Sequence, residues 1–217
     1  ILFDTGMHML GGFRPGQTLY RICQHLGIMQ KLKLKRVDSD CMDEIYYASN
    51  HTTYRVAEGK AGFVESFATH FPHQRTQLQR YVDAIYELAD EIDLFNLRPT
   101  GDGIPLHSER FMWSADEFIA HYIDDEQLRD VLAYMNPMYG GVSGHTPAYV
   151  HALISALYIN GTDRFVGGSQ QLATALAEVI EHAGGEVVGG AEVIRIAVDN
   201  RTVTQVQTKD GRSFSAP

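Results

Sequence analysis

The sequence has 217 residues, of which 44% are hydrophobic and 21% charged, with a formal net charge of −9 at pH 7. This composition is ordinary for a globular protein of one or two domains, and the negative charge argues against a nucleic-acid partner, which would require clustered Lys and Arg. The two cysteines, Cys23 and Cys41, have neither the spacing of a disulfide scaffold nor that of a zinc site. This pattern indicates a protein of the reducing cytoplasm. No apolar run reaches the about 20 residues of a transmembrane helix.

The first 30 residues predict a strand and a helix. Residues 1–12 read as a short strand running into a glycine-rich segment, whose backbone is able to approach another surface closely. That surface is either a bound ligand or the protein's own core, with Met7 and Met9 packed in a tight turn; the residues alone leave both interpretations open. After Pro15, a set of apolar residues at helical spacing predicts an amphipathic helix with one buried face: Leu19, Ile22, Cys23 and Leu26.

Residues 31–57 predict β-structure. The basic run at 31–36 (KLKLKR) is short, and we interpret it as a solvated strand at the edge of a sheet. The β-rich segments 41–48 and 52–57 flank the turn sequence 49–51 (SNH). Together they predict a hairpin.

Four helices are predicted between residues 59 and 135. The first two, at 59–70 and 71–96, are separated at Pro72, and the second carries an apolar stripe from Leu78 to Ile92. Residues 97–113 lack periodicity and contain Pro and Gly, which indicates a connector or lid. Helices at 114–122 and 124–135 follow, and Ser114 with Glu117 predicts a capping box.

A Gly- and Met-rich run at 136–147 (NPMYGGVSGHTP), here termed the Gly-rich loop, precedes an apolar helix predicted at 148–158. It contains Tyr139 and His145. Two interpretations stay open: the loop covers a hydrophobic substrate tunnel, or it connects two helices. The sequence contains no Ser/His/Asp, Cys/His or phosphate-loop constellation, so chemistry would belong to a bound cofactor.

The tail predicts one helix followed by a three-stranded meander. Gly167-Gly168 opens a loop, Ser169 is a candidate cap, and apolar residues from Leu172 to Ala183 recur at helical spacing, so that one face of this helix is expected to be buried. A Gly-Gly pair at 184–185 ends the helix. Strands are predicted at 192–198, 202–208 and 212–215.

Three motifs match one known family. The tail resembles its GG-S-x-x-L helix, Gly-Gly stop and V-x-x-I strand, here ending in Val193 and Ile196. Residues 3–8 (FDTGMH) resemble its F-D-x-G-x-H, and residues 114–118 (SADEF) with 125–129 (DEQLR) resemble its S-x-x-E-F and D-x-x-L-R. The chain thus resembles the FAD-dependent oxidoreductases of the phytoene desaturase, carotenoid isomerase and retinol saturase branch, and more loosely the amine oxidases.

The resemblance implies an α+β fold with parts of two domains. Residues 1–30 would form the edge of the FAD-binding domain and residues 31–163 the substrate-binding domain, an antiparallel sheet covered by helices. Residues 164–217 would form the helix and three-stranded β-meander of the FAD-binding domain. The family's G-x-G-x-x-G pyrophosphate turn is absent from the sequence, which begins at Ile1. We therefore expect an internal fragment of a longer flavoprotein that does not retain FAD by itself.

The resemblance also implies site residues. Contacts to FAD are expected from one N-terminal segment and from the strand over the adenine: Gly6, Met7, His8 and Val193. Contacts to substrate are expected from the hairpin and the Gly-rich loop: Tyr46, Tyr54, Tyr139 and His145. The sequence predicts neither catalytic side chains nor a metal site.

The function implied for the longer protein is oxidoreduction at a carbon–carbon bond of an apolar, polyene or carotenoid-like substrate. The resemblance does not choose between desaturation, saturation and isomerisation. The alternative is a stand-alone, non-enzymatic module that binds a lipid or a protein partner. Peripheral membrane contact by the longer protein and self-association of this chain stay open as further expectations.

Overall fold

The computed structural model describes residue 7, residues 9–99, residue 101 and residues 106–215. Helices and strands mix in an α+β arrangement. The α-helices are α1 (Thr18–His25), α2 (Lys60–Ala68), α3 (Arg75–Asp90), α4 (Ala115–Tyr122), α5 (Glu126–Leu132), α6 (Ala148–Ile159) and α7 (Gln170–His182). The strands are β1 (Leu10–Gly11), β2 (Leu34–Arg36), β3 (Asp43–Tyr47), β4 (Thr52–Val56), β5 (Thr162–Phe165), β6 (Val193–Asp199), β7 (Thr202–Thr208) and β8 (Ser213–Phe214).

The chain divides into two compact units, residues 1–173 and residues 174–217. In the first unit, helices α2 to α6 enclose one hydrophobic core. The predicted stripe of α3 forms its centre, because Leu78, Val82 and Ile85 repeat at helical spacing and are fully buried. Helix α6 packs against α3. This pairing places the segment before α6, the Gly-rich loop, at one end of the core.

Two small antiparallel sheets flank these helices. The predicted hairpin is confirmed as β3 paired with β4. The other sheet has the order β1-β5-β2, so the basic run lies on an edge strand, as predicted. Strand β5 was not predicted. It has only four residues, and its place in the sheet depends on long-range pairing with β1 and β2 and on an edge contact between the Phe13 and Phe165 rings, 6.2 Å apart.

Helix boundaries follow local chemistry. The capping box is confirmed, since the Ser114 hydroxyl accepts from the Glu117 amide at 3.1 Å and the Glu117 carboxylate accepts from the Ser114 amide at 2.8 Å. The expected buried face of α1 is wrong in part: Cys23 is buried, but Ile22 and Leu26 are exposed. Helix α3 begins at Arg75, because a short 3-10 turn at Pro72–Gln74 precedes it.

The second unit contains the predicted meander in the order β6-β7-β8. Its strands lie within about two residues of the predicted bounds. Helix α7 begins in the first unit and ends in the second. The predicted burial of its apolar face is not met: Ile180 is 43% exposed, and Leu172, Leu176 and Val179 are only partly buried. Among the described helices, none has the length and apolar character that spanning a membrane requires.

Candidate functional site at the Gly-rich loop

A chain of hydrogen bonds links the Gly-rich loop to the helical core. His151 of α6 is fully buried. Its Nε2 lies 2.6 Å from the hydroxyl of Tyr81, which α3 supplies, and its Nδ1 lies 3.0 Å from the hydroxyl of Tyr139 in the loop. The Tyr139 hydroxyl also donates to the Asn136 side-chain oxygen. Helix α3, the Gly-rich loop and the helix that follows the loop thus meet at one imidazole ring.

The hydrogen-bond partners of His151 determine which of its two ring nitrogens carries the proton. Burial lowers the pKa of His151 to about 4, so the ring is neutral near pH 7, with one donor and one acceptor nitrogen. Because the Tyr139 proton is given to Asn136, Tyr139 must accept from Nδ1–H of His151. Nε2 is then the acceptor of the Tyr81 hydroxyl proton. The protons therefore point from Tyr81 through His151 and Tyr139 to Asn136.

The other end of the Gly-rich loop is held by α4. Asp116, in the first turn of that helix, accepts from the Ser143 hydroxyl at 2.7 Å and from the Gly144 amide at 2.5 Å. The Ala115 amide donates to the Thr146 carbonyl at 2.7 Å. Negative charge and free amides at the start of a helix suit these contacts, because the first turn leaves its N–H groups without helical partners. The loop is consequently anchored at both ends.

The chemistry available in the Tyr81–His151–Tyr139 network is hydrogen bonding by neutral groups. Burial raises the pKa of Tyr139 to about 12 and raises that of Tyr81 well above its ordinary value, so both hydroxyls stay protonated near pH 7. Neither is then poised as a general base. The network instead holds the half-buried ring of Tyr139 in one position, next to the mostly exposed residues 140–145 of the Gly-rich loop.

The hairpin places the two predicted substrate residues on opposite faces. Tyr46 is 60% exposed, and its hydroxyl lies 2.6 Å from Nδ1 of His51. Tyr54 is 1% exposed, stacks on Phe71 with ring centroids 5.9 Å apart and accepts from Gln127 at 2.6 Å. Since neighbouring strand positions alternate between faces, the structure does not bring these two tyrosines together.

His145 and Tyr139 are also separate. The exposed His145 ring is bonded to its own loop, with Nδ1 2.9 Å from the Ser143 carbonyl. Tyr139 points to His151 instead. Contact of these four residues with a substrate stays a prediction, and Tyr139 is the one that bonds the buried His151.

Two of the four predicted FAD contacts lie among the described residues. Gly6 and His8 lie outside the described residues, whereas Met7 is 38% exposed and Val193 is 50% exposed. At Gly11 an added Cβ would lie 2.5 Å from the Leu157 carbonyl oxygen, so this glycine makes room for α6 and not for a pyrophosphate. The same described residues contain no group of three His, Cys, Asp or Glu side chains that could hold a metal ion.

The residues that sequence reasoning missed are those that complete the network: Tyr81, Asp116, Asn136 and His151. One sequence signal was available. His151 is an imidazole in the largely apolar α6 segment AYVHALISALYI, and a buried imidazole in such a helix requires hydrogen-bond partners. Its partners could not be read from the sequence, because Tyr81 lies 70 residues away.

Comparison with known proteins gives relatives along nearly the whole chain. No family model matches it. All-trans-retinol 13,14-reductase of Macaca fascicularis is 21% identical over 212 residues, covering 91% of this chain and 35% of that protein. Prolycopene isomerase 2 of an Oncidium hybrid cultivar is 21% identical over 229 residues, covering 99% of this chain and 39% of that protein. Phytoene desaturase (lycopene-forming) of Paracoccus sp. is 34% identical over 99 residues, covering 45% of this chain and 20% of that protein.

The chain spans about a third of the length of the retinol reductase that it matches, 35%. Among solved structures, a Rab GDI from Plasmodium falciparum superposes with a TM-score of 0.49 at 12% identity, covering 96% of this chain and 47% of that chain. The sequence relatives carry the assignment, since reductase, desaturase and isomerase all align with this chain. The homologues of this chain are therefore a retinol reductase, a phytoene desaturase and a prolycopene isomerase, and the retinol reductase matches over 91% of the chain at low identity.

Proposed function

We propose that this chain is the substrate-binding region of an FAD-dependent oxidoreductase that acts on a carbon–carbon bond of an apolar, polyene-like molecule. One observation carries the proposal. The relatives are named for retinol, phytoene and prolycopene, and their names describe three different reactions: a reduction, a desaturation and an isomerisation. What these names share is an isoprenoid hydrocarbon chain with double bonds. The part of the relatives that aligns with this chain is therefore best explained by the substrate class that they have in common.

The geometry of the Gly-rich loop is compatible with such a ligand. Tyr139 presents a half-buried ring whose hydroxyl is already satisfied by Asn136 and His151, so the exposed part of the ring is available for apolar contact. Val142 of the same loop is exposed as well. The chain would orient and enclose the substrate, while the electron transfer would belong to the flavin of the longer protein.

Trp113 offers a direct test, because it is the single tryptophan of the sequence and its carbonyl accepts from the Ala148 amide at 2.7 Å, next to the end of the Gly-rich loop. We expect all-trans-retinol to quench its fluorescence in a saturable manner and Tyr139→Asp to weaken that binding by about tenfold or more, because a charge would be placed against an apolar ligand. Arg80→Asp, which places the same charge at an exposed position of α3 outside the proposed surface, is the control and should leave the affinity unchanged.

The enzymatic part of the proposal requires the longer protein. Supplied with FAD and an electron donor or acceptor, it should convert retinol, phytoene or prolycopene into a product with a changed number or geometry of double bonds. Tight binding of a saturated fatty acid together with an absence of turnover of all three polyenes would instead favour the lipid-binding module. If neither retinol nor a saturated fatty acid binds and no polyene is converted, both the oxidoreductase and the lipid-binding module are wrong.

The cofactor contact proposed for Val193 is testable in that longer protein. If its backbone meets the adenine, Val193→Ala should retain flavin through gel filtration and Val193→Pro should lose it, since proline removes the backbone N–H. Equal retention by both variants would contradict the contact.

A further inference from the structure

Strands β2 and β5 place two cations directly opposite each other. Lys35 is the cross-strand partner of Arg164, and both side chains are exposed. Like charges at directly opposite positions destabilise an antiparallel pair. Within the described ranges, neither side chain has a hydrogen-bond or ion-pair partner. The pair is therefore a local electrostatic cost that the described protein does not offset.

The next pair of the same ladder shows the contrast. Arg36 lies opposite the buried Asp163 and also bonds the Glu58 carboxylate. Arg14 joins this cluster, with Nη2 3.1 Å from Glu58 and Nε 3.7 Å from Asp163. Because strand residues alternate between faces, Lys35 and Arg164 lie on the face opposite to Arg36 and Asp163, and among the described residues neither of the two forms an ion pair.

A general excess of basic residues does not explain this face, since the chain has a net charge of −9. Protection of an exposed strand edge would explain the position of Lys35 but not that of Arg164. Lysines on edge strands prevent unwanted strand pairing, and Lys33 and Lys35 belong to the edge strand β2 and the residue before it. Arg164, however, lies on the central strand β5, which is paired on both sides.

The two cations line an open groove of about 440 Å³, which Arg36, Val37 and Asp38 complete. Asp38 is the one carboxylate of this lining, and it accepts from the Asp40 amide at 3.1 Å. Lys35 provides a mobile ammonium, and Arg164 provides a planar guanidinium able to grip two oxygens of one anion at once. The number of cations suits one or two phosphoryl groups, not the continuous phosphate backbone of a nucleic acid.

We propose that the Lys35–Arg164 pair of the β2–β5 ladder binds the phosphoryl group of an anionic ligand. The bound anion offsets the repulsion between the two side chains, so occupancy stabilises the first unit. The phosphoryl group has two conceivable carriers, a free phosphorylated metabolite and the headgroup of an anionic lipid. This site is independent of the function proposed for the Gly-rich loop.

Thermal unfolding tests the proposal, with inorganic pyrophosphate as the probe and sodium chloride at matched ionic strength as the reference. Pyrophosphate should raise the Tm of the wild-type chain. Lys35→Glu should unfold at a higher temperature than wild type without the probe, because it replaces a like-charge pair by an opposite-charge pair, and should not respond to the probe. Arg164→Gln should also lose the response. Arg80→Gln, which removes an exposed cation from α3, is the matched control and should respond as wild type does.

Co-sedimentation with phosphatidylcholine vesicles, with and without phosphatidic acid, separates the two carriers. Binding to the anionic vesicles that Lys35→Glu reduces at least tenfold, without a response to free pyrophosphate, assigns the phosphoryl group to a lipid. A pyrophosphate response without vesicle binding assigns it to a metabolite. The site is wrong if wild type responds to neither probe, or if Lys35→Glu and Arg164→Gln respond as strongly as wild type.

Discussion

The hydroxyl of Tyr139 lies 3.0 Å from Nδ1 of His151, which joins the Gly-rich loop to a ring at the centre of the helical core. The ring is neutral, and its second nitrogen is occupied by Tyr81 at 2.6 Å. Protonation of His151 must therefore reverse or break its contact with Tyr81, because a charged imidazole has two donors and no acceptor for the Tyr81 proton. The loop and the core are coupled through a single titratable group.

The stability of the chain should fall with acid through His151. Burial lowers its pKa from 6.5 to about 4 in the folded protein. Between these values the unfolded chain takes up a proton that the folded chain does not, so the free energy of unfolding decreases as pH falls from 6.5 to 4. The shift corresponds to about 3 kcal/mol, and above pH 6.5 the effect is absent.

Urea unfolding of wild type and His151→Gln at pH 7.5, 5.5 and 4.0 measures this contribution. Carboxylates and exposed histidines titrate equally in both proteins, so the difference between the two curves isolates His151. The advantage of wild type over the variant should shrink as pH falls. Parallel curves at all three pH values would show that His151 is not held neutral by burial.

Removal of one hydroxyl from the network should destabilise the fold. Tyr139→Phe leaves Nδ1–H of His151 without an acceptor, and Tyr81→Phe leaves Nε2 without a donor. An unsatisfied buried polar group costs about 1–3 kcal/mol. Tyr46→Phe is the matched control, because it removes a hydroxyl that also lies 2.6 Å from a histidine nitrogen but at the surface.

Denaturant midpoints and amide exchange check this prediction. The Gly141 amide, which donates to the Asn136 carbonyl at 2.8 Å, should exchange faster in Tyr139→Phe than in Tyr81→Phe, because Tyr139 and Asn136 belong to the same loop. If Tyr46→Phe destabilises the chain as much as Tyr81→Phe does, burial does not set the strength of these contacts.

Local patterns predicted the local parts of this structure. The capping box at Ser114, the stripe on α3 and the hairpin depend on residues a few positions apart, and all three are present. The edge placement of the run at 31–36 was predicted from its short stretch of basic residues, and β2 is an edge strand. In each case the information needed was contained within one segment.

Contacts between residues far apart in the chain could not be predicted from local sequence patterns. Strand β5 is held in its sheet by pairing with β1 and β2. It has four residues, which is too short for an alternating pattern in the sequence to predict a strand. The His151 network joins residues 70 and 12 positions apart. For α1, the pattern located an apolar face but not the extent to which the rest of the fold would cover it, and Ile22 and Leu26 are exposed.

The ion cluster around Glu58 should be the strongest polar element of the first unit. Glu58 bonds both Arg14 and Arg36, and its side chain is only 15% exposed. Glu58→Gln removes the charge-assisted bonds and should lower the free energy of unfolding by roughly 2 kcal/mol. Glu44→Gln, which affects an exposed pair with Arg55 at 3.6 Å, should change stability little. Equal effects in chemical denaturation would contradict this ranking.

Strand β6 should make the isolated chain self-associate. It has seven residues, forms the edge of its sheet and exposes Ile194, Ile196 and Val198. An apolar edge strand offers unpaired backbone groups and apolar area to another strand. We expect concentration-dependent oligomers in sedimentation velocity and binding of a dye specific for apolar surfaces.

Ile196→Lys should abolish both signals, because a charge on the edge opposes pairing. Thr204→Lys adds the same charge at an exposed polar position of β7 and should leave both signals in place. A dye-silent monomer at all concentrations, or equal loss in the two variants, would remove β6 as the contact surface.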